Sequence, residues 1–128
     1  MSADLRTPLK TVRGLGSAQG GTGHFVIQRI TAVALAVLSL WFVWLCLALF
    51  HADYAAARAL LARPCNAVLM AAFVVALFWH LQLGVQVVIE DYVHTPWLEV
   101  ALQILVKLLA VLGALASLFA LVRIALGS

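Results

Sequence analysis

One histidine of this sequence falls inside an apolar run. His80 lies in the stretch Trp79-His80-Leu81-Gln82-Leu83-Gly84-Val85-Gln86, with Ala76 four residues before it and Gly84 four residues after. On a helix those three positions share a face. Imidazole is the commonest biological metal ligand and a usual axial ligand of haem iron. Small residues one turn to either side would let a flat macrocycle lie close to the backbone. The plainer alternative is a neutral histidine hydrogen-bonded to a neighbouring helix, with Gly84 serving helix packing. From the residues alone, both readings stand.

A second cluster follows at Glu90-Asp91-Tyr92. Asp91 is eleven residues beyond His80, which returns it to nearly the same helical face three turns on. Tyr92 offers a phenolic hydroxyl on an amphipathic ring. Such a pair could hold a quinone carbonyl and relay protons; it could equally be an interfacial anchor beside a solvated, helix-ending acid pair. Arg29, with His24 five residues earlier, is either a topology charge or a cation for an anionic group such as a haem propionate. For Gln82 and Gln86, at i and i+4, interhelical hydrogen bonding is expected. Lys107 is expected to snorkel to the interface.

These residues must be positioned by membrane-spanning helices. Of the 128 residues, 66% are apolar and 10% charged, against about 45–50% and 25% in an ordinary soluble domain. That composition excludes a disordered segment, a nucleic-acid module and a free-standing soluble enzyme. We therefore expect an all-α integral membrane protein. The pattern predicts a polar tail over 1–26, spans over 27–50, 67–89 and 98–126, and connectors over 51–66 and 90–97. The glycines at 14, 16, 20, 21 and 23 predict a flexible loop before the first span. The Gly14–Gly20 segment has neither the spacing nor the preceding strand of a dinucleotide loop. Residues 55–62 are helix-friendly, and Pro64 and Thr95-Pro96 suit helix starts. Cys46 and Cys65 form no metal or haem-attachment motif.

Depth gives one further expectation. His80 lies about 15 Å from either end of its span, whereas His24, His51 and His94 fall at or beyond span ends. A low-spin b-type haem in a membrane commonly takes two axial histidines. If His80 binds such a haem, its second histidine comes from another chain. With the N-terminus cytoplasmic, the count of Lys and Arg is four inside (Arg6, Lys10, Arg13, Arg29) against three outside (Arg58, Arg63, Arg123). The positive-inside rule favours that orientation.

Taken together, His80, Asp91, Tyr92 and Val93 form an H-x10-D-Y-V pattern. It resembles the motif of the D-type hydrophobic membrane anchor subunit of succinate dehydrogenase, respiratory complex II. Gly23-His24-Phe25 followed by Arg29 is similar to that family's approach to its first span. The tail R-x-P-L…R-x-L-G-S-A…G-T-G-H-F resembles its alphaproteobacterial and mitochondrial-type branch.

The resemblance implies three transmembrane helices that bundle with a second three-helix anchor subunit of the cytochrome b556 type. The two subunits would share one haem b. His80 matches the family's axial ligand, Tyr92 the tyrosine that hydrogen-bonds ubiquinone, and Asp91 its acidic neighbour. Arg29 and His24 would contact a haem propionate or the quinone pocket. An iron–sulfur subunit and a flavoprotein subunit would sit on the cytoplasmic face of a bacterial inner membrane. Electrons would pass from succinate to ubiquinone, with this chain non-catalytic by itself. The competing readings are a non-redox scaffold or transporter component with His80 as a packing residue, and a haem-less or fumarate-reductase-type anchor.

Overall fold

In the computed structural model, residues 8–12 and 21–127 are described. They form five helices: α1 (Pro8–Val12), α2 (Gly21–Leu49), α3 (Tyr54–Ala62), α4 (Pro64–Tyr92) and α5 (Pro96–Leu126). No strand occurs among the described residues. Helices α2, α4 and α5 are each long and apolar enough to cross a membrane. At 1.5 Å per residue, the 29 residues of α4 extend about 43 Å. A bilayer's hydrocarbon core is about 30 Å thick, so the helical ladder continues beyond the apolar run at its ends.

That excess length explains where the helices differ from the expected segments. Helix α2 starts at Gly21, inside the stretch expected as tail and loop. A glycine within a helix costs about 1 kcal/mol relative to alanine. In the first turn, however, backbone N–H groups lack intrahelical partners in any case, and the apolar run that follows propagates the helix. Glycines 14, 16 and 20, and the charges Asp4, Arg6 and Arg13, lie outside the described residues. At the other connector, Glu90, Asp91 and Tyr92 are the last helical residues of α4, leaving only Val93–Thr95 between helices. Pro96 then opens α5, where its missing N–H removes no helical bond.

The short α3 occupies the connector between the first two long helices. Asp53 caps it, its side chain accepting from the Ala56 N–H at 2.7 Å. At its far end, the buried Asn66 donates from Nδ2 to the Leu60 carbonyl at 2.8 Å. That bond satisfies a carbonyl the end of α3 would leave orphaned and pins α3 to the first turn of α4. Gly127 closes α5 with φ of 76°, its N–H reaching back to the carbonyls of Arg123 and Ile124. A left-handed residue there is accessible to glycine without a Cβ clash.

Helix α4 is the middle helix. It packs on α2 along one side and on α5 along the other. Phe42 stacks on Phe73 with ring centroids 4.6 Å apart, and Thr31 meets His80. Advancing along α2 therefore retreats along α4, so the two are antiparallel. Gly113 beside Phe78 and Gln103 beside Glu90 give the same relation between α4 and α5. The start of α2, the end of α4 and the start of α5 thus share one edge.

Few side chains are hidden. Among the described residues, Leu45, Leu83, Ile89 and Leu121 are the buried apolar residues, and Thr31 and Asn66 the buried polar ones. A soluble fold could not leave so much apolar surface in water. In lipid, apolar exposure carries no penalty, so helices associate through close packing and interhelical hydrogen bonds.

Candidate functional site

His80 and its surroundings form the best-defined polar site inside the three-helix layer. Its Nδ1 lies 3.0 Å from the Thr31 hydroxyl of α2. The same hydroxyl is 3.0 Å from the Ile27 carbonyl and 3.1 Å from the Gln28 carbonyl, one turn back. Interhelical bonds of this kind contribute about 0.6 to 2 kcal/mol in membranes. Thr31 is only 8% exposed.

Next to this bond His80 opens on a pocket of about 310 Å³, lined otherwise by Phe25, Gln28, Arg29 and Ala32 of α2. The Arg29 guanidinium sits 5.0 Å from the centroid of the Phe25 ring, a distance at which the ring face attracts a cation. One turn along α4 from His80, a Cβ built on Gly84 would meet nothing within 4 Å. The surface beside His80 is therefore open on that side. Among the described residues, no group of three or more His, Cys, Asp or Glu gathers at one place. One imidazole beside an open flank and a cation suits a group that brings most of its own metal ligands, as haem does.

The sequence-predicted residues are not all brought together. His80 and Arg29 share the pocket. His24 is half-buried on α2, two turns and about 10 Å from Thr31 toward the α2 start. Asp91 and Tyr92 are exposed at the end of α4, on that same edge. Asp91 rises about 16 Å above His80 on nearly the same helical face, and Tyr92 points about 120° away from it. His80 thus lies deep and the Asp91–Tyr92 pair at the rim.

The two glutamines depart from expectation. Gln82 Nε2 donates to Gln86 Oε1 at 3.3 Å, within α4, and Gln86 Nε2 donates to Glu90 Oε1 at 2.8 Å. The crossing to α5 is made instead by Gln103, whose Nε2 lies 3.5 Å from Glu90 Oε1 and 3.3 Å from Glu99 Oε1. Spacing at i, i+4 favours a bond along the helix as readily as one between helices, and here the intrahelical option won. Lys107 lines an apolar groove of about 390 Å³ between α4 and α5, with Trp79 and Gln82.

Thr31 and Gln28 were not legible as site residues in the sequence. The available signal was a lone threonine directly after Gln28-Arg29-Ile30 in an otherwise apolar run. Threonine there also reads as a residue back-bonding to its own helix, which it does.

The chain matches the family described as "Succinate dehydrogenase/Fumarate reductase transmembrane subunit" over residues 3–122. It is 37% identical over 116 residues to a protein of Rickettsia bellii named succinate dehydrogenase hydrophobic membrane anchor subunit, covering 91% of this chain and 93% of that one. This chain belongs to the succinate dehydrogenase/fumarate reductase transmembrane-subunit family. The match takes in α2, α3 and α4 whole and most of α5. Proteins of the same name from Rickettsia conorii and Paracoccus denitrificans are 32% and 35% identical. The first covers 94% of this chain and 97% of its own length, and the second 67% of each. No solved structure matches the chain. Family membership and the three long apolar helices make it a multi-pass membrane protein.

Proposed function

We propose that this chain is the hydrophobic membrane anchor of a succinate dehydrogenase, in which His80 is an axial ligand of a b-type haem and Tyr92 and Asp91 form part of the ubiquinone-reduction site. The observation that carries the haem reading is the placement of His80. It lies deep in the apolar layer with Nδ1 engaged by Thr31, beside an open flank and the Arg29 cation. A histidine serving only as packing glue would have no need of that flank. Haem supplies one-electron redox chemistry when bound. Arg29, beside His80, and His24, nearer the rim, would contact a haem propionate or the quinone pocket.

The second axial ligand comes from a second three-helix anchor subunit, since the other histidines lie at or near helix ends. The same subunit covers part of the apolar surface that this layer leaves exposed. An iron–sulfur subunit and a flavoprotein subunit dock at the Asp91–Tyr92 edge, which faces the cytoplasm of a bacterial inner membrane when the N-terminus is inside.

The rim suits quinone chemistry. A quinone is an apolar ring with two carbonyl handles, which fits a boundary pocket holding few polar groups. The Tyr92 hydroxyl donates to one carbonyl and fixes the ring. Reduction of ubiquinone to ubiquinol takes two electrons, delivered through the partner subunits, and two protons. Asp91, exposed at the end of α4, would pass protons inward from the water edge.

The test is a reduced-minus-oxidised spectrum of the purified complex carrying this chain. The b-haem bands are expected in the wild type and are expected to vanish in His80→Ala. A wild-type complex without such bands would remove the ligand assignment.

A further inference from the structure

We infer that Thr31 is a positioning residue for the haem: its hydroxyl accepts the Nδ1 proton of His80 and thereby holds the imidazole as the tautomer whose Nε2 lone pair faces the iron. The inference rests on the haem reading above and adds a residue on another helix to it.

The argument is a count of protons. A threonine hydroxyl has one proton to donate and two lone pairs to accept with. Around Thr31 Oγ1 stand the carbonyl oxygens of Ile27 and Gln28, at 3.0 and 3.1 Å, and His80 Nδ1 at 3.0 Å. Carbonyl oxygens only accept. The hydroxyl proton therefore goes to them, forming the back-bond along α2. Were it given to Nδ1 instead, the hydroxyl oxygen would face two carbonyl oxygens with no proton between. The remaining contact requires Nδ1 to be the donor. A neutral imidazole with its proton on Nδ1 has a bare Nε2, which is the nitrogen an iron needs. Thr31 is buried, so water does not readily substitute for it.

The bond also has an electronic consequence. An acceptor on Nδ1–H raises the basicity of the ligating nitrogen. A more basic ligand favours ferric over ferrous iron and lowers the midpoint potential. Removing the acceptor raises it.

The experiment uses the purified complex with Thr31→Val, which keeps the β-branched shape, and Thr31→Ser, which keeps the hydroxyl. The readouts are the haem midpoint potential and the low-spin g-values by electron paramagnetic resonance. Thr31→Val is expected to shift the potential upward by up to about tenfold in the reduced-to-oxidised ratio, about 59 mV for a one-electron couple, and to move the g-values. Thr31→Ser is expected to retain wild-type values. If Thr31→Val releases the haem entirely while the subunits stay together and Thr31→Ser keeps it, the inference holds. If Thr31→Val fails to assemble, Thr31→Ala against Thr31→Ser makes the same comparison. Unchanged potential and g-values in the hydroxyl-free variant would overturn it, as would an equal shift in Thr31→Ser. A wild-type complex lacking haem would instead overturn the reading beneath it.

Discussion

The ring of Phe78 on α4 fills the space that a side chain at Gly113 on α5 would need. A Cβ built on Gly113 would lie 2.5 Å from Phe78 Cε1 and 2.7 Å from Cζ. Where lipid removes the hydrophobic drive between helices, such close approach is what holds them. Gly113→Val should therefore push α4 and α5 apart, at about 1–3 kcal/mol for overpacking. A lower thermal midpoint of the purified complex would register it, and Phe78→Ala in the same chain should recover part of the loss. Full stability of Gly113→Val alone would show that the contact is not limiting.

Gly84 presents the opposite situation. A Cβ there meets nothing of this chain within 4 Å. Gly84→Leu should leave the packing of α4 on α2 and α5 intact while filling the open flank beside His80. The expected result is membrane insertion at wild-type level with haem per complex reduced severalfold, read from the absorbance of the b-haem bands. Unaltered haem content would mean that the macrocycle does not use that flank.

Arg29 lines the His80 pocket as an exposed cation. A positive charge near a haem favours the reduced state, which carries one positive charge fewer. Arg29→Gln should lower the midpoint potential, by about tenfold or less in the reduced-to-oxidised ratio given interfacial screening. The sign is opposite to that expected for Thr31→Val, so a redox titration of the two variants separates the charge effect from the ligand effect.

Tyr92 ends α4 and is 79% exposed, so its hydroxyl is free of helix packing. On the proposed quinone reading, Tyr92→Phe would remove one hydrogen bond to a quinone carbonyl, about 0.5–1.5 kcal/mol. Quinone reduction should slow by up to about tenfold, while succinate oxidation by an artificial dye persists. Equal loss of both activities would indicate failed assembly instead of a damaged pocket.

Much of the fold was readable along the chain because lipid imposes a one-dimensional rule. Long apolar runs must close their backbone hydrogen bonds internally, so helix number and order follow from composition. The exceptions in those runs marked His80, and the order of His80, Asp91 and Tyr92 marked the family. Helix ends were less legible, because helical hydrogen bonding does not stop where hydrophobicity does. Gly21 and Gly23 looked like loop residues yet begin α2. The bond of Gln82 to Gln86 was ambiguous for another reason: one spacing serves contacts within a helix and between helices.

The sequence by itself determined that three helices span a membrane and that a histidine lies deep within the second, since both are properties of burial and period along one segment. Only the tertiary structure decided which residues of α2 face that histidine. The register of α2 against α4 depends on close packing, such as Phe42 on Phe73, and that sum of small contacts has no linear signature. It brings Thr31 to Nδ1 and Arg29 into the same pocket, and so gives an isolated imidazole its orientation.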